Sequence, residues 1–232
     1  MPRVLVFAQT SKTKYPVFLT PKSVFDQKLV VIKTDEYADF AVLCSYIHYV
    51  WVHARGGKQR TDAVYTPSDV FEPYPFPHSD RERLYEIGSR YDEVRSKLMA
   101  ENAIGLTDLY NRFHDPLDSA TEITEMRALH LVMDKVVRDS YGWADMDLSH
   151  GFYPQPYLPE NDRIRYTRCE PARLEVLRRL SRLNRERWQA EQDDSAAALH
   201  DVEVARKAIA KKRMDGRPTF ELVSPPQQTR LF

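Results

Sequence analysis

The sequence of 232 residues is poor in glycine and cysteine, with seven and two of them. It has no glycine-rich loop for a nucleotide or dinucleotide, no activated-serine motif and no Cys-x-x-Cys pair. These absences count against a catalytic or cofactor-binding protein, and on chemistry alone we expect a non-catalytic module. Cys44 and Cys169 form no metal-type or redox-type pair, so we expect buried or free thiols.

Long hydrophobic runs are missing as well. No apolar stretch approaches the roughly 20 residues that cross a bilayer, and the N-terminus lacks the charged and apolar plan of a signal peptide. We therefore expect a cytoplasmic protein with no membrane partner. A hydrophobic content of 42% and a charged content of 29% are ordinary for a globular chain with room for two small domains.

The formal net charge of zero conceals an uneven distribution. Residues 1–77 hold 9 basic and 7 acidic residues, 78–160 hold 9 and 16, and 161–232 hold 16 and 11. A basic end beside an acidic middle indicates either contact with phosphates or packing of the two segments on each other. Charge alone favours packing.

The run YTPSDVFEPYPFP, residues 65–77, holds four of the 15 prolines and four aromatic residues. Its start predicts one helical turn over 67–71, with a threonine cap and a proline at the first helical position. Its second half should be extended, because each proline also restricts the residue before it. A ligand groove and a rigid connection both fit this pattern. We favour a connection between two modules, with Tyr74 and Phe76 at the seam.

Before this run the pattern is mixed. Residues 3–8 and 28–33 are short β-branched runs that are typical of strands, and 16–19 is a further candidate. Helical spacing extends over 37–54, after a Thr34–Asp35 N-cap and up to a pair of glycines. This part should be a helix packed on strands.

After the run, helices dominate. Ser79 with Glu82 and Ser119 with Glu122 have the spacing of capping boxes, and apolar residues follow each at intervals of three and four. Residues 106–113 predict a shorter helix between these two. The short connections favour antiparallel packing.

The last third is less regular. We expect an irregular loop ordered by aromatics over 143–160, a short strand over 163–168 and a basic amphipathic helix over 170–192. Residues 193–213 have helical propensity but little apolar face, and the proline-rich tail from Asp215 should be disordered.

The fold class predicted is α+β. We divide the chain into a strand-bearing part (1–77), a mainly helical part (78–192) and a charged helix with a flexible tail (193–232).

Histidine and carboxylate pairs are the remaining candidates for chemistry. His130 and Asp134 are one helical turn apart, a spacing that suits a shared metal or a hydrogen-bonded pair. No third ligand is near in the sequence, and His130 falls in the apolar seam, so we expect a hydrogen-bonded core histidine and predict no metal site. His114 precedes an aspartate and a proline that suit a turn, and we assign no catalytic residue.

Five stretches, in one order, resemble the C-terminal part of MmeI-like (type IIL) restriction–modification proteins. This family joins an adenine-specific DNA methyltransferase, an endonuclease and a target recognition domain in one polypeptide. The resemblance covers most of residues 3–192 and rests on IHYVWVHARGG, YTPSDVFEPYPFP, GLTDLYNRFHDP, RALHLVMDKVVRDSYGW and RIRYTRCEPARLEVLRRLSRLNRERW.

The resemblance implies that residues 1–77 are the second half of a target recognition domain and that 78–192 are the helical C-terminal domain. The family's methyl-donor glycine motif, its Asn-Pro-Pro-aromatic motif and its nuclease motif do not occur here. We therefore expect no cofactor in this chain and S-adenosylmethionine in the parent enzyme. On this interpretation the chain is a fragment or half of a split enzyme, and a methyltransferase subunit encoded upstream is a candidate partner.

A target recognition domain implies double-stranded DNA as the main partner. Its loops read base edges in the major groove, and its basic residues hold phosphates. A solvated basic loop is the competing explanation for the same residues. The candidate DNA contacts are Arg55, Lys58 and Arg60, followed by Lys12 and Lys14.

The C-terminal QQTRLF is similar to the short peptide by which bacterial DNA enzymes dock on the sliding clamp. Gln228, Leu231 and Phe232 would be the partner-binding residues, because a glutamine and two apolar anchors on a flexible tail suit a groove. The residue after the glutamine departs from the usual apolar one.

Two functions follow from different classes. The first is a DNA-recognition and structural module of an adenine-N6 DNA methyltransferase, which lacks the catalytic domain. The alternative is a non-catalytic interaction or regulatory protein that binds a partner methyltransferase. Only the first predicts salt-dependent DNA binding by the isolated chain. A stand-alone enzyme using His114, His130 and Asp134 is a third, disfavoured hypothesis.

Overall fold

A computed structural model describes residues 1–22, 24–59, 62–148 and 150–214. The chain divides into two compact units, Met1–Asn184 and Arg185–Phe232. None of the helices in the described ranges has the length and hydropathy needed to cross a bilayer. Both cysteines are free thiols, with Cys44 buried and Cys169 partly buried, as the sequence predicted.

A three-stranded antiparallel sheet opens the first unit. Strands β1 (Val4–Ala8), β2 (Val17–Leu19) and β3 (Leu29–Ile32) are arranged in the order β2-β1-β3. The central β1 is buried from Val4 to Phe7, because helices cover its inner face and apolar residues of both neighbouring strands flank it. All three predicted strands are confirmed.

The predicted single helix over 37–54 is wrong in one respect. It is two helices, α1 (Tyr37–Cys44) and α2 (Tyr46–Arg55), that meet at Ser45. Ser45 has an extended backbone with ψ of 158°, and its hydroxyl donates to the Val42 carbonyl oxygen and accepts from the His48 N–H. A serine that serves both helix ends permits the break, which apolar periodicity alone does not reveal.

A short hairpin follows α2 and was not predicted. Strands β4 (Gly57–Gln59) and β5 (Asp62–Val64) are antiparallel, with Gly57 opposite Val64. Gly56 is required before it, because a Cβ there would lie 2.7 Å from the carbonyl oxygens of both Val52 and Val64. The glycine pair therefore ends α2 and begins the hairpin.

The proline-rich run begins with the predicted turn, which is a wide, π-type turn over Pro67–Phe71. The Thr66 hydroxyl donates to the Asp69 carboxylate at 2.8 Å. Beyond the turn, Tyr74 is buried and its hydroxyl accepts a hydrogen bond from Tyr141 at 2.9 Å. Tyr74 thus joins the strand-bearing part to the helical part.

The helical part begins with three helices, α3 (Arg81–Glu101), α4 (Leu106–His114) and α5 (Thr121–Ser140). Both predicted capping boxes are wrong. The hydroxyl of Ser79 donates to the Ser140 carbonyl oxygen, and Glu122 binds Arg112 at 3.0 Å. One side chain of each predicted box, Ser79 and Glu122, therefore bonds to a residue outside its predicted cap.

The remaining elements are a second hairpin, β6 (Gly151–Pro154) with β7 (Ile164–Thr167), and the long helix α6 (Glu170–Met214). The β7 prediction is confirmed, whereas β6 lies in the segment that was predicted to be an irregular loop. The α+β class is confirmed. The proposed boundaries at residues 77 and 192 stay predictions, and residues 1–77 pack with residues 78–184 in one compact unit.

Candidate nucleic-acid interface and buried charge cluster

Two basic segments that are far apart in sequence lie side by side. The loop after β1 reaches the β4–β5 hairpin through a β-bridge between Thr10 and Val64 and through the Tyr65 N–H, which donates to the Gln9 carbonyl oxygen at 2.8 Å. We call this juxtaposition, residues 9–14, 57–59 and 62–65, the basic edge. It brings together the segments that carry Lys12, Lys14 and Lys58, three of the five predicted DNA contacts.

The two lysines of the loop have different roles. The ammonium of Lys12 is paired with Asp162 at 2.5 Å, and its side chain is 35% exposed. Lys14 is 2% exposed, and its ammonium donates to the Ala63 carbonyl oxygen. A buried ammonium that ties the loop to β5 is not placed to contact a phosphate, so Lys14 supports the basic edge from within. Lys14 as a DNA contact stays a prediction, which this burial disfavours.

Arg55 ends α2 beside the hairpin. Its guanidinium lies 4.8 Å from the centre of the Trp51 ring and 3.5 Å from the Asn184 side-chain oxygen. The Asn184 amide in turn donates to the Pro73 carbonyl oxygen at 2.5 Å. Arg55 is exposed and held at its base, a geometry that suits a contact with a ligand at the surface.

The structure does not describe the side chain of Lys58 or the other four predicted site residues. Lys58 has its backbone in β4, and nothing is described of its side chain. Residues Arg60, Gln228, Leu231 and Phe232 lie outside the described residues.

A fully buried charge cluster lies at the other end of α2. One carboxylate oxygen of Asp134 accepts the Tyr46 N–H, the first of α2, at 2.8 Å. The other accepts from Arg168 at 3.0 Å and from His150 at 3.1 Å, with His130 at 3.7 Å. Asp134 in α5 therefore caps a helix of the strand-bearing part, where a negative charge is favoured by the unpaired N–H groups.

Burial and the neighbouring charges shift the pKa values of the groups in this cluster. Burial alone would raise the pKa of Asp134, but His130, His150 and Arg168 outweigh burial and lower that pKa. Burial lowers the pKa of His130 to about 4, with Asp134 opposing the shift. The imidazole is therefore neutral at pH 7, and its Nδ1 hydrogen-bonds the Tyr91 hydroxyl at 3.0 Å. The prediction of a hydrogen-bonded core histidine is confirmed.

His150 is the group that sequence reasoning missed. It brings a third potential metal ligand beside His130 and Asp134, with the three ligand atoms within 4.8 Å of one another. Arg168 also binds the same carboxylate oxygen, so a cation already compensates the carboxylate. The Asp134 carboxylate is fully engaged, whereas Nδ1 of His150 and both Nε and Nη1 of Arg168 have no hydrogen-bond partner among the described residues. No spacing rule could have found His150 or Arg168, because each comes from a different segment.

Comparisons with known proteins agree with this architecture. Residues 6–78 match the family model described as "MmeI, target recognition domain". A curated relative, "DNA methyltransferase A" of Bacillus subtilis (strain 168), is 26% identical over 119 residues, which are 51% of this chain and 13% of that protein. The chain thus spans about an eighth of the length of that relative.

A solved structure shares the fold. It is described as the type IIL restriction-modification enzyme MmeI in complex with DNA, and it aligns with a TM-score of 0.57 at 17% identity. The alignment covers 79% of this chain and 21% of that one. The resemblance drawn from the sequence is confirmed, because residues 6–78 match the target recognition domain of the MmeI family.

Proposed function

We propose that this chain is a DNA sequence-recognition and structural module of a type II restriction–modification adenine-N6 methyltransferase, and that the methyl transfer is carried out by another polypeptide segment. The observation that carries the proposal is the coincidence of the family match over 6–78 with the basic edge. A recognition domain needs polar and basic groups on a fixed scaffold, and the bridge from Thr10 to Val64 supplies that rigidity.

The proposed contacts are Lys12, Arg55, Lys58 and Arg60. Basic side chains at such an edge position the duplex through its phosphates, and a base-reading role requires a bidentate group such as arginine. Arg55 and Arg60 are therefore the candidates for base reading, and Lys12 and Lys58 for the phosphates. Lys14 holds the loop in place.

Double-stranded DNA is the partner in this proposal, and a methyltransferase polypeptide supplies the catalytic part. S-adenosylmethionine would act there, as the methyl donor of the parent enzyme. The sequence holds no glycine-rich motif of the kind that cradles the phosphate or nucleoside part of a cofactor, so we assign none to this chain. The proposed location is the cytoplasm, where such an enzyme meets DNA.

Binding of a labelled duplex by the purified chain, measured by fluorescence anisotropy over a series of salt concentrations, tests the proposal. We expect log K to fall linearly with log salt concentration, with a slope of about −0.9 per phosphate contacted. Lys58→Ala should make the slope shallower by about one contact, and Arg60→Ala should relax the base preference at one position of the site.

Lys97→Ala is the matched control, since Lys97 lies on α3 with its side chain 68% exposed and pairs only loosely with Glu101. Equal binding by all variants, with no salt dependence, would contradict the proposal. It would favour the alternative, a regulatory protein that binds a partner methyltransferase, which co-purification with that polypeptide detects. Docking of the C-terminal Gln228, Leu231 and Phe232 on the sliding clamp is a separate proposal, tested by a pull-down with and without the last two residues.

A further inference from the structure

A small cavity opens where the loop of the basic edge meets the helical part. It has a volume of about 10 Å³, and its walls come from the loop, from α2, from α4 and from β7. That volume is the room of one water-sized oxygen. The lining residues are Lys12, Thr13, Tyr15, Tyr49, Tyr110, Asn111, His114 and Arg165.

Two buried polar atoms on residues that line this cavity have no hydrogen-bond partner among the described residues. They are Nδ1 of His114 and Nε of Arg165. The Arg165 side chain is 9% exposed. Leaving such polar atoms unpaired in a buried place is unfavourable. Both residues line the cavity, so a ligand oxygen placed there would lie against both of them.

The charge around the cavity is positive. Lys12 and Arg165 share one carboxylate, Asp162, at 2.5 Å and 3.2 Å, which leaves one positive charge in excess among the three. Burial first, then the charge of Arg165 and of other nearby cations including Lys12, lower the pKa of the His114 imidazole well below its ordinary value. The ring is therefore neutral at pH 7 and can donate from Nδ1 in one of its tautomers.

The walls are stiff. The Tyr15 ring stacks on Tyr110 with centroids 3.9 Å apart, and Tyr110 hydrogen-bonds Tyr91 at 3.0 Å. The side chain of Tyr15 is buried. Packed aromatic walls fix where the donors point, which reduces the ordering cost of binding.

We propose that this cavity is an anion site that receives one oxygen of a phosphate group, held by Lys12, His114 and Arg165. A cavity that admits one oxygen selects an anion whose other atoms stay at the surface, such as a phosphodiester. Placed at the basic edge, the site would hold a backbone phosphate of bound DNA. That source rests on the proposed function, whereas the chemistry of the site does not. The helical part would then contribute Arg165 and His114 to DNA binding.

The first experiment uses inorganic phosphate and the full chain. The thermal unfolding midpoint is followed against phosphate concentration, with sodium chloride at equal ionic strength as the reference. We expect a saturable rise for the native chain, because a ligand that binds only the folded state stabilises it. In Lys12→Gln the apparent affinity should fall about tenfold, as expected for loss of one charge-assisted hydrogen bond. Arg165→Gln should abolish the response.

Lys97→Gln is the control and should respond as the native chain does. A phosphate response that equals the chloride response, or that survives unchanged in Lys12→Gln, overturns the proposal. Lys12 is partly exposed, so its variant remains informative if Arg165→Gln does not fold.

The second experiment identifies the source of the phosphate. In duplex binding, Lys12→Gln should make the salt slope shallower by about one contact, and Lys97→Gln should not. If the slope is unchanged while the inorganic phosphate response is lost, the site stands and takes free phosphate. If no form of the chain binds DNA, the proposed function fails, and the inorganic phosphate titration still decides the anion site.

Discussion

The two ends of α2 contain charged groups in opposite settings. At its start, Asp134 and Arg168 are fully buried and compensate each other beside two histidines. At its end, Arg55 is exposed and the basic hairpin follows. One helix of ten residues thus joins a closed ionic cluster to an open basic edge.

The difference teaches that charge in this protein has two separate uses. Asp134, His150 and Arg168 come from three segments of the helical part, and together they fix the position of the start of α2. The charges at the exposed end of α2 remain accessible to a ligand, and dissolved salt screens them much more than it screens the buried cluster. Substitutions at the first end should therefore act on folding, and those at the second on binding.

The largest effect should come from Asp134→Ala. It leaves Arg168 buried without its carboxylate and the Tyr46 N–H without its acceptor, which typically costs about 3–5 kcal/mol of unfolding free energy. Urea unfolding measures it. Asp145→Ala is the control, because Asp145 pairs with Arg179 at the surface with its side chain 66% exposed, and such exposed pairs contribute little to stability. Similar losses in both variants would refute the contrast.

The second largest effect should be a loss of stability at low pH, which arises from the buried cluster at the start of α2. The pKa of His130 is about 4 in the folded chain and about 6.5 in the unfolded chain, so the unfolded state takes up its proton first. Stability is complete above pH 6.5 and falls as the pH drops toward 4, by about 3 kcal/mol for this group. Below that, protonation of Asp134, whose pKa is also lowered, removes a further contribution.

Urea unfolding at a series of pH values between 7 and 4 checks this. His130→Gln should flatten the dependence by about one proton. A native chain whose stability is constant from pH 7 to 4 would disprove the assignment.

A smaller effect is expected from Ser45→Ala. The hydroxyl caps α2 through the His48 N–H and also bonds the last turn of α1, so its loss should cost about 1 kcal/mol. Thermal unfolding detects it, and Ser45→Asn should recover part of the loss as an alternative cap. A neutral Ser45→Ala would show that the break between α1 and α2 is held by Asp134 alone.

The smallest effect on stability should be that of Arg55→Gln, within about 0.5 kcal/mol, because the group is exposed. In DNA binding the same change should weaken the preference for one base by about 1–3 kcal/mol and leave the salt slope nearly unchanged. A large loss of stability with unchanged binding would place Arg55 on the structural side of the comparison.

The sequence predicted what depends on local pattern. The strands 4–8 and 29–32, the helix 106–114 and the turn at 67–71 follow from β-branched runs, apolar spacing and proline. The family model matches residues 6–78, which overlap the part that the family motifs assigned to target recognition.

What the sequence did not reveal depends on contacts between distant segments. The capping boxes failed because Ser140 and Arg112 engage the side chains concerned, and the ion pair of Asp134 with Arg168 joins residues 34 positions apart. Lys14 was assigned to DNA because a lysine near a loop tip is usually exposed, and its burial against Ala63 depends on the hairpin that was not predicted. Local propensity carries no information about such partners.

Gly88 has a consequence for transplanting the recognition domain between relatives. It lies in α3, where a Cβ would collide with the carbonyl oxygen of Tyr37 and approach the Ala41 side chain to 3.2 Å, so α1 and α3 touch backbone to backbone. If residues 1–77 alone were transplanted, the incoming α1 would have to pack on an α3 that is complementary to the original α1. In a chimaera with altered specificity, the side chains of the incoming α1 that face α3 at this crossing must therefore be as small as those they replace.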